Sequence, residues 1–288
     1  MGQKLVKLIL DGGKDELIAT ARGVNRLPYP ESNYSFDQLD ITDQSQVNEV
    51  IARHKPDVVI HTAAMTNVDQ CETEREDCWK QNVDAVEYLI VACEIPSSFL
   101  IHLSTDFIFD GEDGPYDEGA LANPISYYGD SKLAAENLLL DSSIKYAIAR
   151  TVLVYGIAHD MSRTNIVLWV KKSLEDGKAI KVVDDQLRSP TLAEDLAMGC
   201  YLIAEKKAEG IFNISGKDLL TPYEMALKTA AYFDLDTSTM EKADASTFTQ
   251  TAKRPPKTGL LIDKAVNELG YAPRSFEEGI GILVDQMS

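Results

Sequence analysis

Two short stretches of this sequence carry side chains that could move a proton. Ser104 and Thr105 end an apolar run that starts at Phe99, a pattern typical of a buried parallel strand. Open α/β sheets bind their ligands at the C-terminal ends of such strands. Tyr128 and Lys132 follow in a segment rich in helix formers and are four residues apart, so we expect them to share one helical face.

The spacing of Tyr128 and Lys132 predicts acid–base chemistry. A free tyrosine has a pKa of ~10, so it exchanges protons poorly at neutral pH unless a nearby cation lowers that pKa. Lys132 is the predicted cation. Tyr-x-x-x-Lys alone is a weak signal, because such pairs also occur on solvated helix faces. The preceding Ser-Thr strand end favours the catalytic interpretation.

The combined pattern resembles a known enzyme superfamily. A Ser/Thr strand end followed by Tyr-x-x-x-Lys resembles the extended short-chain dehydrogenases/reductases, and the stretch 104–111 (STDFIFDG) resembles the dTDP-4-dehydrorhamnose reductase family. The resemblance implies an α/β fold, a Rossmann-type doubly wound parallel sheet with a smaller C-terminal substrate domain. It places an NAD(P)-binding domain at residues 1–156 and a substrate-binding region, partly interleaved with it, at residues 157–288.

The resemblance also implies a reaction, the NAD(P)H-dependent reduction of a 4-keto-6-deoxy sugar nucleotide. Hydride would pass from the nicotinamide to the carbonyl carbon while Tyr128 donates a proton to the carbonyl oxygen. Thr105 would hydrogen-bond that oxygen, and Lys132 would hold the ribose and tune Tyr128. Asp106 is expected to help orient the sugar.

The N-terminal stretch predicts a helix where a dinucleotide-binding unit would start with a strand. Apolar residues recur with helical period up to Leu10, and Gly12 and Gly13 act as the stop. In the resembled family this helix follows the last glycine of the phosphate-binding turn, which corresponds to Gly2. The first strand and most of the glycine-rich loop are absent from the sequence, so we expect about ten to fifteen further residues before Gly2 in the natural protein.

Several residues are candidates for cofactor binding. Arg22 ends a short predicted strand, and an arginine there accommodates the 2′-phosphate of NADPH. The alternatives are that Arg22 is simply solvated and that the cofactor is NADH. Asp40 and Ile41 resemble the family's adenine-flanking strand end. Ala63 and Ala64 are small enough for close approach of a cofactor, although packing would explain them too.

The segment 63–69 matches the family's cofactor and substrate loop. The match implies that Thr66 contacts the cofactor and Asn67 the substrate. Asn82 falls where the superfamily has an asparagine that steadies the loop near the active site. These roles come from the resemblance.

Two further positions concern the substrate. Leu153 stands where the resembled reductases commonly have a tryptophan, which leaves the identity of the sugar open. Arg254 belongs to a turn, 253–257, that places three cations beside two prolines. A forked guanidinium suits a diphosphate, so Arg254 is the predicted clamp; a solvated basic turn is the alternative.

Composition limits the classes of partner. Among 288 residues, 46 acids outweigh 28 lysines and arginines, for a net charge of −18, which disfavours nucleic acid and anionic membranes. No apolar stretch approaches a membrane span, so we expect a cytoplasmic protein. The four cysteines lack metal-ligand spacing and are expected to be reduced, with no metal site. His61 and His102 lie in strand-like runs and are interpreted as packed neutral residues. A homodimer is a possible assembly.

Two alternative functions stay open from the sequence. The resembled family includes the regulatory beta subunit of methionine adenosyltransferase, which would use the fold as a non-catalytic NADP-binding module. A sugar-nucleotide dehydratase or epimerase is the other alternative. Dehydratases typically have a glutamate after Thr-Asp as the base, whereas this chain has Phe107.

Overall fold

The computed structural model describes residues 1–161 and 164–287 and has the predicted α/β architecture. The helices are α1 (Gly2–Gly12), α2 (Gln44–His54), α3 (Val68–Thr73), α4 (Arg75–Trp79), α5 (Ala85–Glu94), α6 (Tyr127–Leu140), α7 (Ile166–Glu175), α8 (Ala193–Lys206), α9 (Pro222–Tyr232) and α10 (Phe276–Met287). The strands are β1 (Ile18–Ala21), β2 (Ser35–Gln38), β3 (Val58–His61), β4 (Phe99–Thr105), β5 (Tyr146–Thr151), β6 (Val154–Tyr155), β7 (Ile180–Val183), β8 (Thr191–Leu192), β9 (Gly210–Asn213) and β10 (Met240–Ala243). Short 3-10 or π turns lie at Glu31–Asn33, Lys80–Asp84, Asp106–Ile108, Ala245–Thr247 and Ala265–Leu269.

The main sheet is parallel, in the order β3–β4–β5–β9, and helices cover both of its faces. Successive side chains of a strand point to opposite faces. Leu100 accordingly packs in a core with α2, α5 and α6, while Phe99 and Ile101 pack in a second core with α8. The prediction of a doubly wound Rossmann-type sheet is confirmed.

The sheet is interrupted between β1 and β3. Strand β1 pairs in parallel with β2, and β3 pairs with β4. The facing sides of β1 and β3 line a cavity of about 1220 Å³, together with the start of α1. In the doubly wound order the first strand lies between the second and the fourth, so this cavity lies where a first strand would pair.

Residues after 156 contribute to two parts of the molecule. Strands β7 and β10 pair in parallel and share a core with α7 and α9. Strand β9 instead returns to the main sheet beside β5, and α8 packs on that sheet. The division of the chain at residue 156 therefore stays a prediction, and the two parts share the main sheet.

Helix ends follow the chemistry expected from the sequence. Helix α1 ends at Gly12, and Gly13 has a φ of 60°, a backbone conformation that glycine adopts without a steric penalty. Asp43 caps α2 by accepting hydrogen bonds from the backbone N–H groups of Ser45 and Gln46. The predicted end of α1 is confirmed.

The gap between β1 and β3 generates a prediction about stability. An N-terminal extension of about five aliphatic residues followed by a glycine-rich turn should pair with both strand edges and bury apolar surface. We expect Tm to rise by roughly 2–8 °C, the shift that about 1–2 kcal/mol produces in a domain of 150–250 residues. Differential scanning calorimetry measures it. The matched control carries proline at the centre of the extension, because proline lacks the N–H needed for pairing; an equal rise in both chains would contradict strand pairing.

Candidate active site

Thr105 and Tyr128 meet at the C-terminal end of β4. Helix α6 begins one residue before Tyr128, and Ser126 caps the helix by accepting a hydrogen bond of 3.2 Å from the N–H of Gly129. The Thr105 hydroxyl lies close enough to the Tyr128 phenol to act on its pKa. Both side chains are buried. The two predicted catalytic groups are thus brought together.

Gly129 makes this contact possible. A Cβ atom at position 129 would collide with the backbone carbonyl oxygen of Phe107, in the turn that follows β4. Glycine therefore lets the first turn of α6 lie directly against that turn. The Phe107 ring packs edge-on against Tyr128, with the ring centroids 5.7 Å apart. The position at which a dehydratase would have an acid thus holds an aromatic contact to the phenol.

Lys132 lies one turn further along α6, as predicted, but its contacts differ from the expectation. Its Nζ donates a 2.7 Å hydrogen bond to the carbonyl oxygen of Leu103 and lies 2.9 Å from Nε2 of His102. Burial lowers the pKa of Lys132 to about 8.

The pKa of Tyr128 shifts in the direction opposite to the prediction. Burial of the phenol raises this pKa above its ordinary value, and the nearby Thr105 hydroxyl offsets only part of the rise. The sequence-based expectation that Lys132 lowers the pKa of Tyr128 is therefore corrected. The physical reason is desolvation, which outweighs the neighbouring groups. Tyr128 is consequently a protonated group at neutral pH.

Asp106 is buried directly beside the Thr105 hydroxyl. Its Oδ1 lies 3.1 Å from Oγ1 of Thr105, and its Oδ2 accepts a hydrogen bond from the hydroxyl of Thr258. Burial raises the pKa of Asp106, while the nearby Arg188 and the two threonine hydroxyls act against that rise. The carboxyl group thus orients Thr105, and its predicted contact with a sugar stays a prediction.

Asn82 steadies the loop after β3, as the sequence predicted. It accepts a 2.8 Å hydrogen bond from the backbone N–H of Met65 and donates a 3.1 Å bond to the Met65 carbonyl. Its Nδ2 also lies 3.0 Å from the hydroxyl of Ser131 on α6. Asn82 therefore couples the loop that contains Ala64 and Thr66 to the helix that carries Tyr128.

The predicted cofactor residues lie along the C-terminal edge of β1 and β3. Gly2, Ile41 and Ala63 line the large cavity, and a Cβ atom on Gly2 would lie 3.4 Å from Oγ1 of Thr62. Arg22 is exposed at the end of β1. Asp40 accepts hydrogen bonds from the N–H and hydroxyl of Thr42, which together with the charge of Arg22 lower its pKa. Arg22 and Asp40, far apart in sequence, are thus neighbours.

Arg254 makes a bidentate ion pair with Asp69. Its two guanidinium nitrogens lie 2.7 Å and 3.2 Å from the two carboxylate oxygens, and this pair lowers the pKa of Asp69. Asn67 caps α3, accepting a 3.3 Å hydrogen bond from the N–H of Gln70. The basic turn at 253–257 is therefore tied to the loop that was predicted to bind substrate.

Leu153 lies in a separate cavity of about 400 Å³. Its φ is 35° and its side chain is 42% exposed. Trp169, on α7, lines the same cavity and is also partly exposed. An indole is thus present beside Leu153 although the expected tryptophan at position 153 is absent from the sequence.

The sequence interpretation missed three residues near these groups. Arg188 is buried and donates to the carbonyl oxygens of Pro255 and Pro256 at 2.7 Å and 3.0 Å. Thr258 binds Asp106, and His102 contacts Lys132. No local spacing in the sequence marks Arg188, because its partners lie almost 70 residues further along the chain.

Residues 1–161 and 164–287 offer neither a metal-binding cluster nor a membrane-spanning helix. These residues contain no group of three or more His, Cys, Asp or Glu side chains arranged to hold a metal ion. None of their helices is long and apolar enough to cross a membrane.

Known proteins share this sequence and this fold. The family described as RmlD substrate binding domain matches residues 1–288. The chain belongs to this family. A dTDP-4-dehydrorhamnose reductase from Aggregatibacter actinomycetemcomitans is 31% identical, over 97% of this chain and 93% of that protein. The resemblance inferred from the catalytic motifs is confirmed.

A protein with a different name and a solved structure are also similar to this chain. The methionine adenosyltransferase 2 subunit beta of Bos taurus is 30% identical, over 85% of this chain and 75% of that protein. The crystal structure of the Bacillus anthracis dTDP-4-dehydrorhamnose reductase in complex with NADP is 27% identical, has a TM-score of 0.84 and covers 95% of this chain and 99% of that chain. The RmlD-family fold of this protein is therefore shared with a reductase that binds NADP.

Gly129→Ala tests the close approach of α6 to β4. The added methyl group must displace the turn at Phe107, and such overpacking costs about 1–3 kcal/mol. Urea denaturation measures the free energy of unfolding. Gly12→Ala is the matched control, since nothing lies within 4 Å of the added Cβ. Equal stability of the two variants would contradict the contact.

Proposed function

We propose that this protein is an NADPH-dependent reductase of a 4-keto-6-deoxy sugar nucleotide, of the dTDP-4-dehydrorhamnose reductase type. The observation that carries the proposal is the contact of Thr105 with Tyr128 at the C-terminal end of β4, one helical turn from Lys132. Membership of the RmlD family supports the same reaction.

The residues present fit a nicotinamide dinucleotide. Lys132 uses two acceptors on β4, and an ammonium has three donors, so one donor is left for a ribose hydroxyl. Ala63, Ala64 and Thr66 line the approach to this end of β3, and Gly2 begins a helix whose N-terminus favours a phosphate. Arg22 favours NADPH over NADH, with NADH as the alternative cofactor. The bound nicotinamide supplies the hydride.

Tyr128 acts as the proton donor in this proposal. Because burial keeps its pKa above the ordinary value, the phenol holds its proton at neutral pH and can deliver it to a carbonyl oxygen. Thr105 orients the same oxygen, and Asp106 holds the Thr105 hydroxyl in place. Lys132 lies one turn away, where its ammonium contacts the Leu103 carbonyl oxygen and His102.

Four residues are proposed to bind the substrate. Asn67 and Arg254 lie on the two tied loops, Asp106 lies below Thr105, and Leu153 lines the neighbouring cavity. We propose that the sugar contacts Asp106 and Leu153 and that the diphosphate contacts Arg254. The side chain at Leu153 is smaller than tryptophan, so the choice of sugar should differ from that of relatives with the indole.

Measurements of turnover distinguish the reductase from the alternative functions. Phe107 supports reduction over dehydration, because no carboxylate stands at the position after Thr105 and Asp106. The regulatory-subunit function has support from the relatives of that name, and predicts cofactor binding without turnover. The four buried free thiols support a reducing compartment, and we propose a cytoplasmic enzyme that acts without nucleic acid. A homodimer stays a prediction.

Tyr128→Phe tests the proposed acid. The variant loses only the phenolic oxygen, so NADPH affinity should barely change while turnover falls by about two to four orders of magnitude, the usual contribution of a positioned acid. Lys132→Met should weaken NADPH binding and also lower turnover. Nicotinamide absorbance with a panel of keto-sugar nucleotides measures turnover, and titrations compare NADPH with NADH. Near-normal turnover of Tyr128→Phe would contradict the mechanism; NADPH binding without turnover by the unmodified protein would favour the regulatory function.

Arg254→Ala tests the proposed phosphate clamp. Loss of a charged hydrogen bond should raise KM by the factor that corresponds to roughly 1.5–3 kcal/mol, with kcat little changed. Lys253→Ala is the control, since Lys253 is exposed beside it. A lower Tm with unchanged KM would mean that Arg254 only ties its turn to Asp69.

A further inference from the structure

Two buried histidines lie side by side under the catalytic helix. His61 on β3 and His102 on β4 are partners in the parallel ladder. Their rings are stacked, with centroids 5.5 Å apart and planes inclined by 25°. His102 is 1% exposed and His61 is 6% exposed, so neither imidazole is solvated.

Only one of the two histidines contacts Lys132. Nε2 of His102 lies 2.9 Å from the Lys132 Nζ. Nδ1 of His102 and Nε2 of His61 are buried and have no hydrogen-bond partner within residues 1–161 and 164–287. The two imidazoles therefore have similar surroundings and differ in whether they touch the lysine.

The contact determines the tautomer of His102. An ammonium is a donor only, so Nε2 of His102 must accept and the imidazole proton must lie on Nδ1. The second acceptor of the ammonium is the carbonyl oxygen of Leu103. In the part of the chain that the structure describes, no carboxylate forms a salt bridge with Lys132. Two neutral acceptors thus solvate a buried cation.

We propose that His102 is a positioning residue that holds the Lys132 ammonium charged and in place through an Nε2 acceptor bond; the consequence for catalysis rests on the proposed reductase function. The bond directs Lys132 toward β4 and leaves its third donor for the cofactor side of the site. Without this acceptor, the ammonium would keep one internal partner, the Leu103 carbonyl.

Neighbouring groups influence the pKa values of Lys132 and His102. The titratable and charged groups on the surrounding elements are His61 on β3, Cys78 on α4, Tyr128 and Glu136 on α6, and Arg150 on β5. Burial lowers the pKa of Lys132 to about 8, against the attraction of Glu136. Glu136 itself is bound by Arg150 at 2.7 Å. Burial and the charge of Lys132 hold the pKa of His102 well below its usual value, so this imidazole stays neutral.

The first test determines the tautomer of His102 and requires no enzymatic turnover. Two-bond ¹H–¹⁵N correlation spectra of protein labelled at histidine nitrogen distinguish the two neutral tautomers and the imidazolium. His102 is assigned by the loss of its signals in His102→Gln. We expect a neutral ring with the proton on Nδ1 at neutral pH. A proton on Nε2, or an imidazolium, would overturn the proposal whether or not the protein is a reductase.

The second test measures whether the bond from Lys132 to His102 keeps Lys132 charged. His102→Leu removes the acceptor, so the charged form of Lys132 loses support and its pKa falls. We expect the alkaline limb of the kcat/KM profile to move down by about one pH unit, equivalent to tenfold in the acid constant. His102→Gln, which retains an acceptor oxygen, should restore most of the limb.

His61→Leu is the matched control for both histidine variants. It removes an equally buried, stacked imidazole that does not touch Lys132, so the alkaline limb should stay in place. An equal shift in His61→Leu and His102→Leu would overturn the proposal in favour of a general packing effect. If His102→Leu fails to fold, His102→Gln still tests the proposal. An unchanged alkaline limb in His102→Gln supports the proposal, and a limb lowered as expected for a variant without an acceptor overturns it.

Discussion

The close approach of α6 to the C-terminal end of β4 is the constraint on which the site depends. Glycine at position 129 removes the one side-chain atom that would hold the helix away from the Phe107 carbonyl. Tyr128 then reaches Thr105, and Lys132 reaches the Leu103 carbonyl one turn later. A displacement of the helix by the width of a methyl group would break these contacts together, because interiors are packed too densely to absorb it.

Burial gives the two central groups different protonation behaviour. It raises the pKa of the Tyr128 phenol and lowers that of the Lys132 ammonium, because desolvation disfavours whichever form is charged. A protonated phenol suits a proton donor. An ammonium with a pKa near 8 is charged at neutral pH and loses its charge as pH rises through that value. Environments that shift neighbouring groups in this way are typical of acid–base sites.

Two cationic side chains lie close together in this strongly acidic protein. Arg254 and Arg188 lie near each other beside Asp106, within a chain of net charge −18. Arg188 is held by backbone carbonyls, and Arg254 is held by Asp69. Both guanidinium groups therefore have acceptors within the protein.

The sequence alone predicted the features that depend on local spacing. A period of 3.6 residues placed Tyr128 and Lys132 on one face of α6, and the glycine pair ended α1. The match of Asn82 to a superfamily position predicted that it steadies the loop near the active site, and its bonds to Met65 do so. The motif around Thr105 predicted the family, because its residues are contiguous in the chain.

Tertiary structure decided which groups bind each side chain and how burial shifts the pKa values. Asp69 and Arg254 are 185 residues apart, and Asp106 and Thr258 are 152 apart, so no local pattern could pair them. Lys132 and His102 are 30 residues apart and meet only because α6 packs against β4. The direction of the Tyr128 pKa was predicted wrongly, since sequence spacing reveals a neighbouring charge but not the exclusion of water.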